Sequence, residues 1–176
     1  MAKRKPKDPK EGLQYGHWNI ELCGEFDPNN YVAFVYAVHL KNGSKYIGVK
    51  RFFARINKPP SEFKRGPQKK LTEHKWRSYN TSSSILKEVV EEDIENRYIL
   101  GCFTKWGTAL MAEFIWQLEL DVCRRDDYLN FQMGGHFTKN TYPDEHIYDT
   151  IHNYKQRFDY EDIFETTNSN AIPTDH

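Results

Sequence analysis

Tyr31-Val32-Ala33-Phe34-Val35-Tyr36-Ala37-Val38-His39-Leu40-Lys41-Asn42-Gly43-Ser44-Lys45-Tyr46-Ile47-Gly48-Val49 is the stretch on which the fold turns. Its first run, Tyr31 to Leu40, is apolar and rich in β-branched and aromatic side chains, which suits a strand better than a helix of that length. Lys41 to Ser44 then supplies turn chemistry, and the pair Asn42-Gly43 tolerates the positive φ of a tight hairpin. A returning strand is expected from Lys45 to Val49. Such a ribbon sets Tyr36 and Tyr46 on neighbouring strands, where the two phenols share a face if the register allows. The register itself is not written in these residues.

Upstream, Gly24 to Asn30 contains Asp27-Pro28-Asn29-Asn30 and reads as loop. Residues 1–12 mix Lys, Pro and Gly without periodicity, as expected of a mobile basic arm that either solubilises the chain or contacts phosphate. Downstream, Arg51 to Lys58 is expected to form a short helix ended by Pro59-Pro60, followed by a polar, basic loop to Lys75. Loops of that length are uncommon unless they bind something. Asn80-Thr81-Ser82-Ser83-Ser84 offers N-cap oxygens for a helix from Ser84 to about Glu92, and a third strand is expected from Arg97 to Phe103. Leu110, Phe114, Gln117, Leu118 and Val122 then recur at helical period with Thr108 as the N-cap. Glu113 lies one turn before Gln117 on this apolar helix, so its carboxylate is either half exposed or partnered. A turn from Asp126 to Gly135 and a mixed helix from Pro143 to Phe158 follow, and residues 165–176 read as disordered.

The length of 176 residues with 38% hydrophobic content fits one globular domain with modest extensions. Aromatic content of 15% means that rings must fill much of the core. Formal net charge is zero, but the average conceals segregation. Between Lys41 and Arg77 there are twelve Lys or Arg against Glu62 and Glu73, whereas residues 87–127 carry ten acids against five cations. The middle of the chain is thus a basic stripe suited to phosphate. Cys23, Cys102 and Cys123 are odd in number and form no C-x-x-C pair, which fits a reduced protein better than a disulfide scaffold or zinc site. No apolar run is long enough for a membrane span and no signal peptide is visible, so a cytoplasmic protein is expected.

Four elements in order carry the chemistry: Phe34-Val35-Tyr36, Tyr46-Ile47-Gly48-Val49-Lys50-Arg51, Trp76-Arg77-Ser78-Tyr79 with Ser82-Ser83, and the helix bearing Glu113. Two phenols, a cluster of cations and one carboxylate are an inventory for holding one divalent metal and cleaving a phosphodiester. Taken singly, Tyr36 and Tyr46 read as an aromatic cross-strand pair and Glu113 as a surface acid. Their joint order reverses those readings.

The pair Phe34-Val35-Tyr36 and Tyr46-Ile47-Gly48 resembles the double motif of the GIY-YIG nuclease family. Lys50 and Phe52, Trp76-x-x-Tyr79 with Ser82-Ser83, Gly107 with Glu113 and Gln117, and Asn130 after Tyr128-Leu129 follow in the order of its small stand-alone phage-type members. Phe34 and Val35 depart from the Gly and Ile of the first motif. The family's arginine has three competing counterparts, Lys50, Arg51 and Arg55, and Tyr79 or His74 stands where many members place His.

The resemblance implies an α+β fold, a three-stranded antiparallel sheet flanked by helices, over residues 31–135, with a basic arm at 1–30 and a helical, acidic extension at 136–176. It also implies a metal-dependent DNA endonuclease using Mg²⁺ or Mn²⁺ held by Glu113. Tyr36 would act as general base or water-orienting group, Tyr46 and Tyr79 would bond phosphate or water, and Lys50, with Arg51 or Arg55, would stabilise developing charge. Gly48, Trp76, Ser82 and Asn130 would support the site. Lys64, Arg65, Lys69, Lys70, Lys75 and Arg77 would contact DNA, with sequence selectivity from the basic loop, the termini, a homodimer or a partner protein. The competing expectation is a nucleic-acid- or protein-binding module on the same fold without catalysis.

Overall fold

A computed structural model describes residues 14–57, 69–80, 83–134, 143 and 146–159. Strands β1 (Ala33–Leu40), β2 (Lys45–Arg51) and β5 (Ile94–Phe103) form an antiparallel sheet in the order β2-β1-β5. Between them in sequence lie a two-stranded ribbon, β3 (Phe53–Asn57) with β4 (Lys69–Glu73), and the single-turn helix α1 (Ser84–Lys87). Helices α2 (Trp106–Glu119) and α3 (His146–Phe158) follow.

The expected ribbon forms between β1 and β2. Within the connection only Gly43 takes positive φ, at 85°, and its N–H donates to the Leu40 carbonyl at 2.9 Å, while Leu40 N–H donates to Ser44 O at 2.8 Å. This is a three-residue connection closed by one left-handed glycine rather than a two-residue turn. The register pairs Tyr36 with Gly48 and Val38 with Tyr46, so the two phenols share a face as diagonal neighbours.

Every residue of β1 is buried, without the alternation of a half-exposed strand, because the sheet is covered on both faces. On one face Val35, Ala37, Ile47, Tyr98 and Leu100 pack against Ala112, Ile115 and Trp116 of α2 and Ile147, Ile151 and Tyr154 of α3. On the other, Phe34, Tyr36, Val38 and Ile99 meet Trp18, Phe52, Trp76 and Leu86. Trp18 belongs to a segment expected to precede the domain. Asn19 N–H donates to Arg97 O at 2.7 Å and Ile99 N–H to Asn19 O at 2.9 Å, so the lead-in adds to the free edge of β5.

Three local expectations are corrected. Residues 53–57 are strand, not helix, and pair Phe53 with Glu73 through Asn57 with Lys69. The corner before them is pinned by buried Phe52, whose N–H donates to Val32 O at 3.0 Å, so the chain leaves β2 extended. Lys69 and Lys70 accordingly lie on β4 rather than in an open loop. Helix α1 stops at Lys87 instead of near Glu92, and α2 starts at Trp106 with Lys105 as N-cap, before the expected Thr108. Lys64, Arg65 and Ser82 lie outside the described residues. Among the described residues no helix is long and apolar enough to cross a membrane.

Candidate active site

Strand alternation decides which cations can meet the phenols. Tyr46, Gly48 and Lys50 project on the face of Tyr36, whereas Val49 and Arg51 belong to the face covered by α2. The Lys50 ammonium lies 3.6 Å from the centre of the Tyr79 ring, and the Tyr36 ring centre is 6.2 Å from that of Tyr46 and 6.1 Å from that of Tyr79. Burial draws the Lys50 pKa below its ordinary value. Arg51 is instead stacked on Trp106 at 4.1 Å, so it does not join Lys50 among the phenols. Arg55 is placed on β3 opposite Leu71.

Helix α2 crosses behind β2, and Glu113 reaches round this edge strand into a cleft of about 680 Å³ lined by Tyr46, Ser83, Glu113, Gln117, Asn130 and Phe131, among others. Burial pushes the Glu113 carboxyl up to about 7. Tyr46 is pushed up to about 12, first by burial and then by the charges of Glu113 and Tyr79, against a smaller downward effect of its hydrogen bond with Ser83. A phenol so shifted stays neutral near pH 7 and serves as a hydrogen-bonding group rather than a ready base.

Tyr36 sits behind this cleft, 1% exposed, with its phenol over Gly48. The sequence led to the expectation of a general base or water-orienting group at Tyr36, and the structure places this side chain out of contact with solvent. A Cβ at Gly48 would lie 2.6 Å from Tyr36 Cζ and Oη and 2.8 Å from Tyr46 Cε1, so the glycine makes room for both rings.

Asn130 closes the outer edge of β2. Upstream of it, Lys45 N–H donates to Asp127 O and Leu129 N–H to Lys45 O, both at 2.7 Å, as a neighbouring strand would. At Ile47 the side chain of Asn130 takes over, its Oδ1 accepting from Ile47 N at 2.9 Å and its Nδ2 donating to Ile47 O at 2.7 Å. The peptide between the two motif residues Tyr46 and Gly48 is thereby fixed. Asn130→Ala orphans a buried N–H and weakens a buried carbonyl, so a loss of about 2 kcal/mol is expected in urea unfolding.

The remaining expected residues divide. Trp76 is fully buried, donating Nε1 to Glu73 Oε1 at 3.0 Å, and serves the core under the site. Arg77 pairs with Glu73, donates Nε to Gln14 O at 3.0 Å and stacks on Trp76, so protein groups already engage the guanidinium expected to contact DNA. Lys75 is exposed. His74 is largely exposed, and partial loss of hydration, then the charges of Lys50 and Arg51, lowers its pKa. Of the expected Ser82-Ser83 pair, Ser83 lines the cleft and Ser82 lies outside the described residues. Phe131 was missed: a residue 89% exposed that lines the same cleft has no periodicity to announce it.

The cleft offers hard oxygen donors in Glu113, Tyr46 and Ser83. Among the described residues no group of three His, Cys, Asp or Glu could cage an ion. One buried carboxylate with neutral oxygens suits Mg²⁺, which keeps several waters and completes its shell from a substrate phosphate.

Comparison with known proteins bears on this arrangement. The family model described as "Putative endonuclease segE, GIY-YIG domain" matches residues 18–133. The chain is similar to Intron-associated endonuclease 2 of Enterobacteria phage T4, 30% identical over 115 residues, which are 65% of this chain and 38% of that protein. The chain thus spans well under half the length of that relative. No solved structure matches it.

Proposed function

Because this chain belongs to the GIY-YIG endonuclease family, we propose that it hydrolyses phosphodiester bonds of DNA in the cleft beside Glu113. The observation that carries the reading is the convergence of Glu113 from α2, Tyr46 from β2 and Ser83 from the segment before α1 on one cleft, with Lys50 and Tyr79 stacked on the same sheet face. Groups distant in sequence meet there, and their chemistry matches what an anionic, five-coordinate phosphorus needs.

Glu113 would hold a divalent ion, Mg²⁺ or Mn²⁺, which when bound supplies Lewis-acid neutralisation of phosphoryl charge. Tyr46, neutral at pH 7, donates its phenolic proton to a phosphate oxygen or orients water. The Lys50 ammonium, partly desolvated, stabilises charge accumulating on the phosphoryl group more strongly than a fully hydrated lysine would. Tyr79 holds that ammonium in place through its ring face. Tyr36 and Gly48 set the position of Tyr46 from behind.

The test is nicking of supercoiled plasmid. Wild type cuts with Mg²⁺ and not with EDTA, and Glu113→Gln does not cut under either condition. Equal cleavage by both proteins removes the proposal. Salt-sensitive DNA binding without cleavage across divalent ions and DNA forms would point instead to a binding module on this fold. Lys50→Met is expected to slow nicking about 10²-fold with a smaller loss of DNA affinity, and Lys50→Arg to restore part of the rate. Single-turnover rates and fluorescence anisotropy separate the two effects.

A further inference from the structure

Arg51 and Lys50 are consecutive on β2, so their side chains leave opposite faces of the sheet. Where Arg51 emerges there is a second cleft, of about 550 Å³, lined by Asn30, Arg51, Phe53, Thr104, Lys105 and Trp106 among others. It shares no lining residue with the cleft at Glu113. The Arg51 guanidinium is spread over the Trp106 ring, and its Nε is buried with no hydrogen-bond partner. An arginine fork carries five donors, and leaving a buried one unmade is costly unless something arrives to accept it.

A second, independent feature converges there. Lys105 is the N-cap of the fourteen-residue helix α2 and makes no side-chain capping bond, so the positive end of the helix opens at the cleft with an exposed ammonium beside it. Asp27, the acid of the neighbouring loop, is engaged within its own turn, where Oδ1 accepts from Asn29 N and Nδ2, each at 2.9 Å. Two cations, unmade donors and a flat aromatic wall make a receptor for an anion with several acceptor oxygens.

We infer that this cleft binds a backbone phosphate of the DNA flanking the cut, so that the substrate strand passes over the end of β2 with Lys50 on one side and Arg51 on the other. The inference rests on the proposed nuclease reading and makes Arg51 and Lys105 anchoring residues rather than members of the reacting site.

Duplex DNA binding, measured by anisotropy in EDTA across a salt series, tests it for wild type, Arg51→Met, Lys105→Met and the double variant, with thermal unfolding of each. The double variant is expected to bind about tenfold more weakly and to lower the slope of log affinity against log salt by about 1 to 2. Lys105 is exposed, so its variant folds even if loss of the Arg51 stack does not allow the other to. An unchanged slope in folded Lys105→Met and in whichever Arg51 variant folds overturns the inference, whether or not wild type cuts DNA. Inorganic phosphate provides the other arm: stabilisation of wild type but not of the variants, with unchanged DNA slopes, would assign the cleft to free phosphate and overturn the backbone reading. Absence of cleavage by wild type, together with the lowered slopes in the variants, would instead sink the nuclease reading and leave the anchoring site standing.

Discussion

Glu113→Gln is expected to reduce plasmid nicking by at least about 10³-fold while making the metal-free protein more stable at neutral pH. The two effects have one cause. Burial raises the folded-state pKa of Glu113 from its ordinary 4.5 to about 7, because no cation among the described residues offsets the lost hydration. The sign follows from proton binding. Between pH 4.5 and 7 the folded chain holds this proton and the unfolded chain does not, so stability is full below about 4.5 and falls as pH rises through 7. The cost above pH 7 is on the order of 2 kcal/mol once solvent in the cleft is counted.

Gln keeps the shape and cannot ionise. Urea unfolding in EDTA should therefore show a downward slope with pH in wild type and a flatter one in Glu113→Gln. Wild-type cleavage should rise with pH over the same interval, since only the carboxylate can hold a divalent ion. Parallel stability curves for the two proteins would show that Glu113 is not desolvated as described, and a variant that still cuts would remove it from the reaction.

Gly48→Ala is expected to lose about 1–3 kcal/mol of stability and about 10²-fold of cleavage. On entropy alone, alanine in a strand should be favoured over glycine, by roughly 0.5–1 kcal/mol. Sterics reverse that preference. The added Cβ would fall 2.6 Å from Tyr36 Cζ and Oη and 2.8 Å from Tyr46 Cε1, distances that no packed methyl occupies. Tyr36 has nowhere to move, being 1% exposed with Trp18 5.2 Å away and Tyr79 6.1 Å away between ring centres. The strain must pass to Tyr46, which lines the cleft with Glu113. Urea unfolding and single-turnover nicking check the two losses separately. A Gly48→Ala protein as stable and as active as wild type would mean that the phenols do not cross over this glycine.

Much of this was legible without coordinates. The apolar run Tyr31 to Leu40, the turn at Gly43 and the returning run Lys45 to Val49 are local signals, and they gave the ribbon of the central strand and one edge strand. The helical period around Glu113 likewise placed one acid on a helix that had to pack. Asn130 could be named as a support, though nothing in Tyr128-Leu129-Asn130 says that its amide would stand in for a strand at Ile47. The failure at residues 53–57 has a similar origin, since their partners Lys69 to Glu73 lie beyond a long connection and strand pairing is not a local property.

What the sequence determined by itself is the set of side chains and the elements that carry them: two phenols on a ribbon, adjacent cations after it and one carboxylate on a later helix. Only the tertiary structure decided which of them meet. Register put Tyr36 opposite Gly48 and so behind Tyr46, and the two-residue alternation of β2 sent Lys50 to the phenols and Arg51 to Trp106. The packing of α2 carried Glu113 around the strand edge. Periodicity is encoded within a few residues, whereas register and packing are set by partners tens of residues away, through a balance of contacts that no single segment contains.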